Sequence, residues 1–182
     1  MDRPSRQSLE DRCRTIELLA LDVDGVLTDG GIILDDHGVE SKQFHVRDGL
    51  AFAIWHQTGK RSAILSGRKS EVVGRRAAEL NIGFIRQGLN DKAEAFRELL
   101  RQEKLRVDQV CFVGDDLVDL PVLLASGLAV CPNDAVVEVR GAVHYIADRS
   151  GGGGVIREVV ELILKAQGKW DDLATLYRVP AV

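Results

Sequence analysis

Leu18-Leu19-Ala20-Leu21-Asp22-Val23-Asp24-Gly25-Val26-Leu27-Thr28 is an apolar run that leaves no room for polar alternation until it meets two carboxylates and a glycine. Such a run predicts a strand buried on both faces that stops at a polar edge of a sheet. Period-two geometry then places Asp22 and Asp24 on one side, and Gly25 permits a sharp turn beside them. Two carboxylates this close are not both comfortably ionised without a cation or a shared proton.

Outward from this strand the sequence alternates. Ile32-Ile33-Leu34, an acidic turn at Asp35-Asp36-His37-Gly38, and Val39 to Val46 read as a β-hairpin inserted beside the acids. From Asp48 the spacing of Leu50, Ala51, Ile54 and Trp55 is helical, with Thr58-Gly59-Lys60 as its stop. Strands follow at Ser62 to Leu65, Asn81 to Ile85, Val107 to Val113, Leu128 to Val130 and Val143 to Ile146. Helical patterns separate them: one through Val72, Val73, Ala77 and Leu80, one capped by Asp91, and one resuming at Leu120-Pro121. A short helical turn, Ala135 to Val139, and an amphipathic helix, Val155 to Ala166, complete the series. Strands alternating with helices imply an α/β three-layer, Rossmann-like fold with a mostly parallel sheet, and no linker is long enough to separate domains. Ligands of such sheets bind beyond the carboxyl ends of the strands.

With 182 residues, 45% of them hydrophobic, the chain is one ordinary domain by size, expected over residues 16–168. Residues 1–15 read as a flexible, frayed lead-in without a signal-peptide core. Residues 169–182 read as a tail whose Trp170, Leu173, Leu176 and Tyr177 are suited to packing on another subunit. No run approaches a membrane span. Lys plus Arg number 24 against 28 Asp plus Glu, a net charge of −4, which offers nucleic acid or an acidic membrane no general attraction. Cys13, Cys111 and Cys131 form no CxxC pair and read as reduced thiols, which implies a cytoplasmic protein. The four histidines, His37, His45, His56 and His144, are too scattered to form a metal set.

Polar clusters recur at three strand ends: Asp22 and Asp24, Ser66-Gly67-Arg68, and Gly114-Asp115-Asp116-Leu117-Val118-Asp119. Turn carboxylates and caps explain any one of them, but not their recurrence at one sheet edge. Asp22 as nucleophile would form an aspartyl-phosphate, dividing one hard hydrolysis into two displacements. Asp24 would protonate the leaving alkoxide and then activate water. So much negative charge would repel a phosphate unless a hard cation intervened, and Mg²⁺ is the natural choice, held by Asp22, the Asp24 carbonyl and Asp115. Asp116 and Asp119 would orient that shell, with a helix N-terminal acid as the rival reading of Asp119. Ser66, the Gly67 amide at a helix N-terminus, and Lys92 in a first helical turn would meet phosphate oxygens.

The D-V-D-G-V-L-T run, S-G-R, Lys92 and G-D-D-L-V-D together resemble the four motifs of the haloacid dehalogenase superfamily. Asp24 marks the phosphatase pattern rather than that of the dehalogenases or transport ATPases. More narrowly, F-H-V-R-D-G at Phe44 to Gly49, S-G-R-K, Arg76 and G-D-D-L-V-D-L-P resemble the 3-deoxy-D-manno-octulosonate 8-phosphate phosphatase family. That resemblance implies a capless, Mg²⁺-dependent homotetramer that releases phosphate from an acidic eight-carbon sugar in lipopolysaccharide precursor synthesis. It assigns substrate binding to Arg47, Asp48, Gly49, Arg68 and Arg76, and guanidinium forks suit an anionic sugar on an acidic protein. It also implies that the hairpins associate and that a tail can reach a neighbouring site. Two departures from the family pattern stand out: Ala53, where many members carry Arg, and the loop Gly151-Gly152-Gly153-Gly154, within which a charged residue is usual. The glycine run fits no dinucleotide pattern and reads as a flexible strand-to-helix turn, with a substrate loop as second reading. Related capless enzymes act on a nine-carbon sugar-acid phosphate, which is the alternative substrate. A phosphoacceptor signalling domain is the distant, non-enzymatic alternative; such domains lack D-x-D-G on the first strand.

Overall fold

Each residue of the first strand, β1 (Leu18–Leu21), is buried, and alternate side chains serve opposite faces of one sheet. Leu19 and Leu21 join a core with helices α1 (Leu9–Thr15), α2 (Val46–Gln57), α3 (Glu71–Glu79) and α7 (Val155–Ala166). Leu18 and Ala20 join a second core with α4 (Lys92–Glu103), α5 (Leu120–Ala125) and α6 (Val137–Arg140). Period-two burial on both faces is what a continuous apolar strand requires, and it makes the sheet the middle of three layers. The structure, a computed structural model, describes residues 7–175 and 177.

The remaining strands are β4 (Arg61–Leu65), β5 (Phe84–Arg86), β6 (Val110–Val113), β7 (Leu128–Cys131) and β8 (Tyr145–Ile146), in the order β5-β4-β1-β6-β7-β8. Every neighbouring pair in this sheet is parallel. Leu21, the last residue of β1, is level with Ile64 on one side and Val113 on the other. The chain leaves β1 toward β4 and β5, then returns to its other side at β6, so the order reverses around β1. This is where open α/β sheets bind ligands. The loops after β1, β4 and β6 carry the three polar clusters.

Several expected elements are revised. The hairpin exists, but β2 (Ile33–Leu34) and β3 (Glu40–Ser41) pair over only two residues each, because Asp35 turns the chain by accepting from the His37 and Val39 amides. The Val107–Val113 strand begins with a 3₁₀ turn, Val107–Gln109. Part of the lead-in is folded: Ser8 caps α1, Cys13 is fully buried, and Leu9 packs on the same core. Two inward apolar residues in an otherwise polar segment were too weak a signal to predict a helix. A short helix α8 (Trp170–Thr175) starts the tail, and Trp170 and Leu173 pack on the chain's own core, with the Arg157 guanidinium 4.9 Å from the Trp170 ring centre. Leu176 lies outside the described residues. Among those residues, no helix is long and apolar enough to cross a membrane.

Candidate active site

The β1 ladder continues one residue past the strand, where the Asp22 N–H donates to the Val113 carbonyl at 3.0 Å. The chain then coils back on itself, with the Val26, Leu27 and Thr28 amides all donating to the Val23 carbonyl. Asp22 and Asp24 therefore reach the same cleft because of this loop, not through strand alternation. Asp22 Oδ1 accepts the Val23 N–H at 2.7 Å, and its Oδ2 lies 2.8 Å from Lys92 Nζ. Lys92 opens α4 behind its cap Asp91, is buried, and pairs also with Asp119 Oδ1 at 2.7 Å. The second Asp119 oxygen accepts the Asp115 and Asp116 amides at 3.0 and 3.3 Å. Asp119 is thus a buried brace that holds both the lysine and the loop after β6. By accepting the Asp116 amide it also closes a capping box on the 3₁₀ turn Leu117–Asp119, so it is a helix-start acid as well as a brace.

Asp22, Asp115 and Asp119 each place a carboxylate oxygen within 4.8 Å of the other two. Burial pushes Asp22 up to about 6, with Asp119 adding to the rise and Lys92 opposing it. Burial also drives Asp115 to about 7, reinforced by Asp119, Asp22 and Asp116. The acid that crowds Asp22 is therefore Asp119, not Asp24 as the D-x-D spacing suggests. Asp115 Oδ1 is buried without a hydrogen-bond partner. Asp119 is taken up by Lys92 and two amides, whereas Asp115 Oδ1 has no partner; with the remaining lone pairs of Asp22, whose oxygens meet the Val23 amide and Lys92, it makes an oxygen donor set suited to a hard divalent cation.

Asp22, Asp24, Ser66, Gly67, Arg68, Lys92, Asp115 and Asp116 all line a cleft of about 260 Å³. That is room for a phosphoryl group and several waters. Ser66 is buried, its N–H donating to the Arg86 carbonyl. The helix expected directly after it starts later, at Glu71 behind the cap Ser70, so Gly67 belongs to a loop rather than to a helix N-terminus. Exposed Asp116 caps the 3₁₀ turn Leu117–Asp119 through the Leu117 amide.

The other expected substrate residues lie outside this cleft. Arg47 lines a separate cavity of about 810 Å³ with Tyr145, Arg149 and Gly153. Asp48 is buried and accepts the Arg157 N–H at 2.9 Å, so it seats the N-terminus of α7; burial raises it to about 6. Arg76 pairs with Glu79 at 2.8 Å and stands over the Phe44 ring, and a side chain at Gly49 would meet its guanidinium at 2.9 Å. Ala53 faces a third cavity, with His56, Arg61 and Glu103.

Two features escaped the sequence reading. Lys42, just after β3, pairs with Asp24, and Glu40 pairs with Arg68; Glu40 and Lys42 share one face by period two, which was the available signal. The glycine run is also no loose turn. The Gly152 N–H donates to the Val26 carbonyl, and a Cβ on Gly151 would lie 2.0 Å from the Gly25 carbonyl oxygen. Gly25 itself, at φ +81°, has room only for hydrogen against Asp115, where a Cβ would lie 2.0 Å from Oδ2.

Residues 76–159 match the haloacid dehalogenase-like hydrolase family. The 3-deoxy-D-manno-octulosonate 8-phosphate phosphatase of Haemophilus influenzae is 38% identical over 161 residues, spanning 88% of this chain and 89% of that protein. The chain belongs to that phosphatase family. The family's Escherichia coli K12 member is 41% identical over 161 residues, 88% of this chain and 86% of its own. The crystal structure of a Moraxella catarrhalis family member, in complex with magnesium ion, phosphate ion and KDO, is similar at a TM-score of 0.91 and 38% identity, covering 93% of this chain and 97% of that one.

Proposed function

We propose that this chain hydrolyses 3-deoxy-D-manno-octulosonate 8-phosphate to 3-deoxy-D-manno-octulosonate and phosphate, with Mg²⁺ as cofactor, in lipopolysaccharide precursor synthesis. The observation that carries the reading is the cluster of Asp22, Lys92, Asp119 and Asp115 at the cleft, in a chain 38 to 41% identical to phosphatases of that ester. Asp22 and Asp115, with the Asp24 carbonyl, would hold Mg²⁺, which when bound offsets the charge of the acids and the ester.

Asp22 attacks phosphorus: an Oδ–P bond forms as the P–O bond to the sugar breaks, and Asp24 delivers its proton to the departing alkoxide. Asp24 then takes a proton from water, whose oxygen attacks phosphorus and frees Asp22 and phosphate. Lys92 keeps Asp22 oriented throughout and supplies positive charge beside the incoming phosphoryl group. Ser66, the Gly67 amide and Arg68 bind ester oxygens from the opposite wall. Asp48, Gly49 and Arg76 serve the substrate from outside the cleft, the first by seating α7, and Arg47 acts from the neighbouring cavity. We take residues 16–168 as the phosphatase domain, with α1 and α8 packed on the same core from either side of it in sequence. Assembly into a homotetramer in the cytoplasm completes the proposal; it is supported by the exposed Ile32, Ile33, Leu34 and Val39 of the hairpin, an apolar surface suited to association.

The test is a comparison of kcat/KM across phosphorylated sugar acids and simple sugar phosphates, with Mg²⁺ and with chelator. The eight-carbon acid is expected to lead, with activity lost in chelator. Equal values across the panel would reject the substrate, and full activity in chelator would reject the cofactor.

A further inference from the structure

Lys42 is an anomaly on its own hairpin. Ile33 and Leu34 across the turn are more than half exposed, yet the Lys42 side chain is only 1% exposed. Lysines are rarely buried unless paired, and this one has two carboxylates. Its Nζ pairs with Asp24 Oδ1 and lies 3.5 Å from Glu40 Oε1. The same Glu40 oxygen accepts an Arg68 N–H at 2.8 Å, and Arg68 Nε stands 4.0 Å from Asp24 Oδ2. Four charges of alternating sign thus close a ring, with Asp24 and Arg68 on the cleft wall and Glu40 and Lys42 behind them on the hairpin.

We infer that Lys42 is a positioning residue for the leaving-group step, holding the Asp24 carboxyl where a departing alkoxide can reach it. The inference rests on the phosphatase reading above. A proton donor helps only within hydrogen-bond reach of the atom it protonates, and small misplacements are costly to rate. Asp24 sits on a loop after the strand, with no hydrogen bond from its own backbone to its carboxylate among the described residues. Its anchors are instead the hairpin lysine on one oxygen and the more distant Arg68 on the other. The ring gives a hairpin of two-residue strands a task in the chemistry.

The experiment compares two esters. An alkyl phosphate, whichever one the wild type hydrolyses best, loses an alkoxide that needs a proton as it departs; 4-nitrophenyl phosphate loses a stabilised phenolate that does not. Lys42→Met is expected to reduce kcat/KM, which reports the leaving-group step and not the common hydrolysis of phospho-Asp22, at least about tenfold more for the alkyl ester than for the nitrophenyl ester, and Lys42→Arg to restore most of that difference. The ratio of the two kcat/KM values does not depend on the fraction of variant that folds. Equal loss on both esters, or no loss on either, overturns the role of Lys42 and leaves the phosphatase reading intact. A wild type that hydrolyses neither ester overturns both.

Discussion

Replacing Asp115 with asparagine is expected to end catalysis and yet to stabilise the metal-free protein at alkaline pH. The Asp115 carboxyl is raised from its ordinary 3.8 to about 7 by burial and by Asp119, Asp22 and Asp116, and its Oδ1 has no hydrogen-bond partner. A carboxyl whose folded value lies above its unfolded one costs stability once ionised. The cost is absent below about pH 4, grows between about 4 and 7, and is complete above 7. At about 1.4 kcal/mol per pH unit, a fully shielded group would cost roughly 4 kcal/mol; with part of this residue open to solvent we expect about 2. In a chain of this length that is a rise of about 4 to 8 °C in Tm for Asp115→Asn at pH 8 in chelator, fading to nothing at pH 4. Thermal unfolding at both pH values reads it directly. Mg²⁺ at about a hundred times its Kd should return about 2.7 kcal/mol to the wild type and nothing to the variant. A variant less stable than wild type at pH 8 in chelator, or a difference that ignores pH, would refute the electrostatic account of the cleft.

Asp22→Asn keeps an oxygen for the Val23 amide, so it should fold normally while turnover falls by more than about 10³-fold; near-normal turnover in a pure sample rejects Asp22 as nucleophile. Lys92→Met strands Asp22 and Asp119 in a buried site, at a cost of about 3 to 5 kcal/mol at pH 8 by urea unfolding. That cost should shrink at pH 5, below the raised value of Asp22, and an equal cost at both pH values would argue against it. Gly151→Ala forces a methyl against the Gly25 carbonyl and should cost about 1 to 3 kcal/mol together with most of the activity; wild-type kcat would show that the two loops move independently.

The central strand and the three polar strand ends were legible in the sequence because each combines a long apolar run with an abrupt stop. Asp22, Lys92, Asp115 and Asp119 do meet, as their order along an α/β chain suggested. Other features hid because their meaning lies in distant partners. Asp48, read as a substrate contact, also has a structural partner that no local spacing reveals: its carboxylate accepts an amide 109 residues away. The crowding of Asp22 by Asp119 rather than Asp24 depends on how the loop after β6 folds under Lys92, which no local spacing encodes. The glycine run looked loose because glycine permits flexibility, but close packing demands glycine equally.

That packing has an evolutionary corollary. Gly151 presses on Gly25, and Gly25 presses on Asp115, so a column without side chains runs from the β8–α7 connection to the carboxylate floor of the cleft. Drift at Gly151 cannot be absorbed by Gly25, since neither has a rotamer to turn. New specificity in such a scaffold would therefore have to arise on the opposite wall, on the hairpin or at the outer glycines of the run, while Gly25 and Gly151 stay glycine.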